Sequence, residues 1–303
     1  MLRNAIAKGW LAGPRLKACS FERNAVGFQA DPKLAYAGVA ARGPDIDSIV
    51  KFVDEMADVG VDTIKLVVTG ESGVVPGTSR NMQFYDEELA AASKRARERG
   101  IPLIGHCHSA ESIKMGVRHG FRVIYHCTWA DAEAIDMITA AKDRLFIAPS
   151  PGINWANCYE GEAFGITKEE AARQEQFETL ERVSQVMPEL HRRGVRVLIG
   201  GDYGFPWNPI GRNARDLELF VKLFGYTPAA ALKAGTALGG ELMELPLGQV
   251  REGYLADLLL VDGDPAIDVA ILQDPTRLIA IMKDGAFHKA PTQHRAARPM
   301  AAE

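Results

Sequence analysis

The segment IPLIGHCHSAESIKMGVRHGFRVIYHC, residues 101–127, decides the fold because it repeats one pattern twice. An apolar run that ends in His106 is followed by a short helical pattern, which stops at Gly120. A second apolar run then ends in His126. The spacing predicts two buried strands joined by a helix, each with an imidazole at its carboxyl end.

The same alternation of strands and helices extends on both sides of this segment. We predict further strands at 61–70, 144–150 and 195–204, helices at 85–100, 131–141, 169–194 and 214–225, and a polar insert at 151–168. Strands that are apolar over their whole length are typical of a parallel sheet covered on both faces. The pattern predicts an α/β fold, a (β/α)8 barrel of the TIM type.

A doubly wound parallel sheet is the alternative architecture. It would have a glycine-rich phosphate-binding turn after its first strand, and the sequence contains no GxGxxG. We expect residues 1–245 to form the barrel. In residues 246–289, GYLADLLLVDGD and TRLIAIMKDGAFHK predict two short strands of a small β-layer with no helix between them. Residues 290–303 are expected to be a frayed tail.

Composition narrows the classes of function. The chain has 303 residues, 47% of them hydrophobic and 24% charged, with a net charge of −4, so nothing favours nucleic acid as a partner. No apolar run approaches the roughly 18 residues that span a bilayer, and the first residues are a poor secretory signal. The four cysteines form no CxxC motif. We expect a reduced, cytoplasmic setting.

Polar chemistry is confined to the carboxyl ends of the predicted strands, where Lys65, His106, His126 and Asp202 lie. A single buried histidine is more often structural, but two on neighbouring barrel strands can share one metal ion. A buried lysine must be paired or neutral. A neutral lysine amine can add CO₂ to give a carbamate that bridges two cations. These residues predict a metal site at the barrel mouth.

This ordered set resembles the amidohydrolase superfamily, in its prolidase-like and imidazolonepropionase-like branch. IKLVVTG resembles the strand with the carboxylated Lys65, the segment 101–127 resembles the two histidine strands, and LIGGDYG resembles the strand with the catalytic Asp202. DLELFVKLFGYTPAAALKAGTALGGELMEL and GQVREGYLADLLLVDGDP resemble the closing helices and the return to a small β-sandwich.

The resemblance implies a chemistry. Lys65, as a carbamate, His106, His126 and Asp202 would bind divalent metal, with zinc expected and up to two ions in a complete site. Asp202 would also carry the proton from the attacking hydroxide to the leaving nitrogen. The implied reaction hydrolyses an amide or related C–N bond in a dipeptide, an N-acyl amino acid or an aryl amide or carbamate. A homo-oligomer is expected from the family.

One departure from the family pattern leaves three alternatives. The family opens its barrel with an HxH motif before the bridging lysine, and no histidine precedes Lys65. The HCH at 106–108 does not fit that role, because the bridging lysine would have to lie between it and the next histidine. The only lysine there is Lys114, inside an amphipathic helix. The favoured interpretation is a truncated piece of a full enzyme, with its first strands missing. The others are a mononuclear hydrolase completed by oligomerisation and a non-catalytic barrel that serves binding or assembly.

Four further residues are candidates for substrate binding: His108, Trp155, Tyr203 and Arg212. His108 shares a strand face with His106 and either touches substrate or caps the barrel mouth. Trp155 and Tyr203 are placed on loops after the last strands, where aromatic rings wall a substrate or cap a barrel. Arg212 could pair with a substrate carboxylate, although a surface ion pair is the commoner role. Residues 69–80 are glycine-rich and predict a mobile lid.

Overall fold

The computed structural model describes residues 2–24 and 43–291. The predicted tail therefore lies outside the described residues beyond position 291. A parallel sheet lies at the centre in the order β1-β2-β3-β4. Its strands are β1 Ile64–Val67, β2 Leu103–Ser109, β3 Val123–Trp129 and β4 Phe146–Ala148.

Three isolated parallel bridges extend this sheet at its edges. Residues 19–23 run beside β1, with bridges from Cys19 to Thr63 and from Arg23 to Leu66. At the opposite edge Val197 bridges to Ile147 of β4. The order follows the order of the chain, as in consecutive strands of a (β/α) barrel, and this confirms the predicted α/β architecture.

Helices connect the strands and cover the sheet. In chain order they are α1 Leu2–Ala7, α2 Ile46–Val59, α3 Asp86–Glu98, α4 Ala110–Arg118, α5 Ala132–Ala140, α6 Pro151–Tyr159, α7 Lys168–Arg173, α8 Gln176–Arg192, α9 Arg215–Phe224, α10 Pro228–Gly235 and α11 Ala237–Met243. The side chains of Ser109 and Asp131 cap α4 and α5, because they accept hydrogen bonds from backbone N–H groups in the first turn of each helix. None of the helices within the described ranges has the length and apolar character needed to cross a bilayer.

The sheet separates two apolar clusters. The larger one lies between the sheet and the helices and includes Leu66, Ile124 and Phe220. The smaller one lies on the other face and comprises Ile104, Val123, Phe146, Ala148 and Leu198. Side chains of a strand alternate between faces, so β2 and β3 contribute to both clusters. Apolar side chains fill one part of the inner face and leave the carboxyl ends of the strands for polar groups.

Between residues 151 and 204, three sequence predictions of local structure were wrong. The polar insert contains α6 and a 3₁₀ turn, Glu162–Phe164. The helix predicted at 169–194 is two helices, because Glu175 has a left-handed backbone with φ 59° between α7 and α8. The strand predicted at 195–204 makes only the Val197 bridge, since the chain at 198–204 is irregular and the Gly200 N–H donates to the Asp216 side chain.

The carboxyl-terminal layer is a three-stranded antiparallel sheet in the order β5-β6-β7. Its strands are β5 Leu258–Val261, β6 Leu278–Lys283 and β7 Ala286–Lys289. The second of the two predicted strands is in fact a hairpin, with Asp284 and Gly285 in left-handed conformations at its turn. A 3₁₀ helix, Val269–Gln273, lies between β5 and β6, where no helix was predicted.

We expect Gly105→Ala to destabilise the fold by about 1–3 kcal/mol, the usual effect of overpacking a core. A Cβ at this position in β2 would lie 2.5 Å from the ring of Phe121, which is fully buried. Urea unfolding would measure the change. Gly239→Ala in α11 is the control, because its Cβ would meet nothing within 4 Å. Equal effects of the two substitutions would contradict the packing argument.

Candidate metal centre and active site

Three histidines and one glutamate converge at the carboxyl ends of β1, β2 and β3. One ligand atom from each of Glu71, His106, His108 and His126 lies within 4.8 Å of every other. The His106 and His126 ring centroids are 4.4 Å apart, and the His108 ring stacks on the His126 ring at the same distance. All three histidines are buried. The sequence therefore folds so that four potential metal ligands meet in one place.

The backbone explains how β2 and β3 present these rings. His106 and His108 are two residues apart on β2 and share a face, as expected of a strand. On β3, Tyr125 packs against the inner cluster, so strict alternation would direct His126 outward. His126 and Cys127 instead have left-handed backbones, with φ of 65° and 56°. This unusual turn brings the His126 ring to the inner face, and the Cys127 side chain joins the outer core.

Hydrogen bonds hold the Glu71 carboxylate against the imidazoles. One carboxylate oxygen lies 3.2 Å from Nε2 of His108, and the other accepts from the backbone N–H of Gly73 at 2.7 Å. Nδ1 of His108 lies 2.8 Å from the Thr128 hydroxyl, and Nε2 of His106 lies 3.1 Å from the carbonyl oxygen of Gly70. Nδ1 of His126 is buried and has no hydrogen-bond partner among the described residues.

Burial and mutual repulsion keep two of the imidazoles neutral. Burial, with the neighbouring His108, lowers the pKa of His106 to about 4 and holds the pKa of His126 well below its usual value. Burial alone would raise the pKa of Glu71, but the hydrogen bond and charge interaction with His108 outweigh it and lower the pKa to about 2. The group thus offers neutral nitrogens and an ionised carboxylate at neutral pH.

This donor set fits a divalent transition metal. Neutral imidazole nitrogens and a carboxylate are the ligands of catalytic zinc sites, with metal–ligand distances of about 2.1 Å. A tetrahedral site with such distances separates its ligand atoms by about 3.4 Å, so a modest contraction of the group would suffice. The unpartnered Nδ1 of the buried His126 is a second observation in favour of a ligand, because buried polar atoms rarely remain unsatisfied.

Lys65 and Asp202, two of the four metal ligands predicted from the sequence, lie close to this group but outside it. The Lys65 ammonium forms an ion pair with Glu22, on the segment that runs beside β1. Burial would lower the pKa of Lys65, but Glu22 outweighs it, so the pKa is raised. The buried lysine is therefore paired, one of the two states that the sequence allowed.

Asp202 lies in the turn after Val197 and has a left-handed backbone with φ 55°. Its side chain reaches solvent, yet the surrounding protein desolvates it and raises its pKa, while Lys65 acts in the opposite direction. Asp216 holds the residues on both sides of Asp202: its carboxylate accepts from the Gly200 N–H at 3.1 Å and from the Tyr203 hydroxyl at 2.8 Å. Asp202 is thus held near Lys65 by a buried carboxylate of α9.

The other candidates for substrate binding have partners within the fold. Tyr203 donates its hydroxyl to Asp216, as described above. Trp155 lies on α6 rather than on a loop, with its ring 4.5 Å from that of Tyr159. Arg212 forms an ion pair with Glu160 at 2.7 Å, the commoner role that the sequence left open. His108, by contrast, belongs to the metal-capable group.

Sequence reasoning missed Glu71 and Glu22. Glu71 follows the end of β1 by four residues, and a carboxylate just beyond a strand end was the signal that identified Asp202. Here it was read as part of a glycine-rich lid. Glu22 had no such signal, because residues 19–23 make only isolated bridges and do not resemble a strand in sequence. Only the tertiary structure places Glu22 beside Lys65.

A parallel α/β sheet with polar side chains gathered at the carboxyl ends of its strands is typical of (β/α)-barrel enzymes. Comparison with known proteins gives the family. The profile of the Amidohydrolase family matches residues 16–287. The chain belongs to the amidohydrolase family.

Individual proteins and solved structures show what the chain is similar to. Ochratoxinase of Aspergillus niger is 27% identical over 243 residues, which are 77% of this chain and 47% of the relative. The chain thus spans about half the length of the curated relative that it matches. The crystal structure of a Xaa-Pro dipeptidase with bound methionine superposes with a TM-score of 0.77 at 25% identity, over 95% of this chain and 71% of the other. The A. niger ochratoxinase structure gives the same TM-score at 21% identity, over 95% and 69%.

The Asp216 carboxyl provides a test of the turn that holds Asp202. Burial raises its pKa to about 6, despite the hydrogen bond from Tyr203. Because the folded pKa lies above that of the unfolded chain, the protonated carboxyl favours folding at low pH, and this contribution disappears as pH rises through 6. Between pH 5 and pH 8 the loss is on the order of 1 kcal/mol.

Asp216→Asn should remove this dependence, so its stability relative to the wild type should rise from pH 5 to pH 8. Urea unfolding of both proteins at the two pH values measures the difference. Asp136→Asn, at an exposed position paired with Arg193, serves as the control. A constant difference between Asp216→Asn and wild type would show that Asp216 does not titrate in this range.

Proposed function

We propose that the protein is a metal-dependent amidohydrolase that hydrolyses an amide or related C–N bond. The observation that carries this proposal is the convergence of Glu71, His106, His108 and His126 at the carboxyl ends of the strands. That is where barrel enzymes place their active sites. Membership of the amidohydrolase family supports the reaction class. Zinc is the metal that we favour, because the donors are imidazoles and one carboxylate.

Glu71, His106 and His126 are proposed as the ligands of one cation. A catalytic zinc site has three protein ligands and one open position, so the group contains one donor more than such a site uses. His108 is the donor that already has two partners, Glu71 and Thr128. We assign it the role of orienting the Glu71 carboxylate, as hydrogen-bonded neighbours of metal ligands do.

The remaining chemistry is assigned to residues of the chain. When bound, the cation would polarise the scissile carbonyl and activate water as a nucleophile. Asp202 is accessible to solvent and has a raised pKa, so it is suited to accept a proton and to deliver it to the leaving nitrogen. Lys65 lies within electrostatic reach of Asp202 and opposes the effect of burial by favouring the ionised carboxylate.

The relatives indicate only a broad class of substrate. The relatives include an ochratoxinase and a Xaa-Pro dipeptidase. We propose that a dipeptide, an N-acyl amino acid or an aryl amide is the substrate. A non-catalytic barrel that binds such molecules is the second candidate, favoured by one observation: Lys65 is paired with Glu22. A lysine held as an ammonium ion is not poised to become the carbamate that the family resemblance predicted.

Purified protein should contain about one zinc ion per chain, as expected for one set of three ligands. Glu71→Gln should lower the zinc affinity by at least the 10–100-fold typical of disturbed metal sites. Lys65→Met should keep the metal, because the Lys65 ammonium is paired with Glu22 and not with the four residues of the metal-capable group. Metal content by mass spectrometry and competition with a chromophoric chelator give both quantities.

Glu133→Gln is the matched control for these substitutions. Glu133 is 71% exposed and pairs with Lys114 on the outer helices. A wild type without metal, or a Glu71→Gln variant with unchanged affinity, would contradict the proposed site. Loss of all metal in Lys65→Met would instead favour the arrangement with a bridging carbamate.

Asp202→Asn should retain zinc but lower kcat/KM by roughly 10²–10⁴-fold, the usual contribution of a general acid–base group. Hydrolysis of a panel of N-acyl amino acids and Xaa-Pro dipeptides provides the assay. Asp136→Asn again controls for surface charge. Wild-type turnover in Asp202→Asn would exclude Asp202 as the proton carrier, and binding without any turnover in the wild type would support the non-catalytic alternative.

A further inference from the structure

The segment that carries Glu71 is bonded to the junction of α7 and α8. We call residues 70–80 the Glu71 loop. At its start the Ser72 hydroxyl donates to Oε2 of Glu175 at 2.5 Å. At its end Nη2 of Arg80 donates to Oε1 of the same carboxylate at 2.9 Å. One side chain, far away in the sequence, therefore holds both ends of the loop that supplies the carboxylate of the metal-capable group.

Hydrogen bonds inside the loop join these two ends. The Ser72 N–H donates to the Ser79 hydroxyl at 2.9 Å, and the Ser79 N–H and hydroxyl donate to the Ser72 oxygen at 3.1 and 2.6 Å. Both serines are 1% exposed. Since Ser72 directly follows Glu71, a movement of Ser72 is passed on to the Glu71 backbone. The sequence predicted a mobile lid here, and the structure shows a loop with an internal clasp.

The backbone of Glu175 has a conformation that disfavours side chains. Its φ is 59° and its ψ is 20°, the left-handed region that costs a non-glycine residue about 1–2 kcal/mol. Glycine at this position would end α7 and begin α8 without that cost. The glutamate at this position is therefore strained, and its carboxylate forms the two bonds that glycine could not form. Backbone strain of this kind is characteristic of functional sites.

We propose that Glu175 is a positioning residue, which holds the Glu71 loop so that the Glu71 carboxylate faces the imidazoles of His106 and His108 ready for cation binding. This inference rests on the proposed function and assigns a role to a residue outside the ligand group. Residues that orient a metal ligand through hydrogen bonds typically change metal affinity 10–100-fold when they are replaced.

Glu175→Gly separates this role from a merely structural one. The substitution relieves the left-handed backbone but leaves the buried Ser72 hydroxyl without its acceptor. These two effects on stability oppose each other, so the melting temperature should change little. Zinc affinity, measured by competition with a chromophoric chelator, should fall by about 10–100-fold. Trypsin should cleave the metal-free variant after Arg80 faster than the wild type, because the guanidinium loses its ion pair.

Glu244→Gly is the matched control. Glu244 is also a glutamate with a left-handed backbone, φ 58°, at the end of a helix. Its side chain is 71% exposed and pairs with Arg122, away from the Glu71 loop. This variant should share the relief of backbone strain but bind zinc as the wild type does. Ser72→Ala, which removes one of the two bonds, should lower zinc affinity alone but add little in the Glu175→Gly background.

The outcomes distinguish failure of the inference from failure of the proposed function. Unchanged zinc affinity in Glu175→Gly, in a wild type that does bind zinc, overturns the positioning role. A loss of affinity that accompanies an equal loss of thermal stability also overturns it, because general loosening would then explain the result. A wild type that binds no zinc contradicts the proposed function itself and, with it, the role of Glu175 in cation binding.

Discussion

The left-handed backbone at His126 and Cys127 is the constraint on which the site depends. A regular β3 strand would place Tyr125 and His126 on opposite faces, and only one of them could reach the interior. The turn brings His126 within 4.4 Å of both His106 and His108, and Cys127 still reaches the outer core. Two consecutive residues in this region are costly, so their surroundings must hold them there.

Electrostatics explains why such a group calls for a cation. The three histidines are nearly excluded from solvent, and burial keeps His106 and His126 uncharged. Glu71 is ionised beside them, and its side chain is 25% exposed. A carboxylate among neutral nitrogens has unused lone pairs, and His126 has a ring nitrogen without a partner among the described residues. A divalent ion would satisfy these atoms together, whereas protonating the buried imidazoles would be opposed by their mutual repulsion.

The alternation of strands and helices was readable from the sequence because apolar strands and capped helices are local patterns. His106 and His126 were found by the same logic, as polar residues where apolar runs end. Glu71 was missed because it lies in a glycine-rich segment, which is typical of a surface loop. The bonds that hold this loop, from Ser72 and Arg80 to Glu175, connect residues about 100 positions apart and leave no local pattern in the sequence. The prediction of a strand at 195–204 was wrong because of another contact between distant residues. The Gly200 N–H donates to Asp216, which lies on a later helix.

The ion pair between Lys65 and Glu22 favours the Glu71 carboxylate over a carbamate on Lys65 as the third metal ligand. A carbamate forms on a neutral amine, and a neighbouring carboxylate favours the ammonium form instead. Lys65 also interacts with Asp202, so its positive charge is compensated from two sides. To become a metal ligand it would have to leave Glu22 unpaired in a partly buried position. Glu71, which already faces the imidazoles, needs no such exchange. Of the two arrangements, the energetically simpler form of the proposed site is therefore a single cation on Glu71, His106 and His126, with Lys65 as a fixed positive charge beside Asp202.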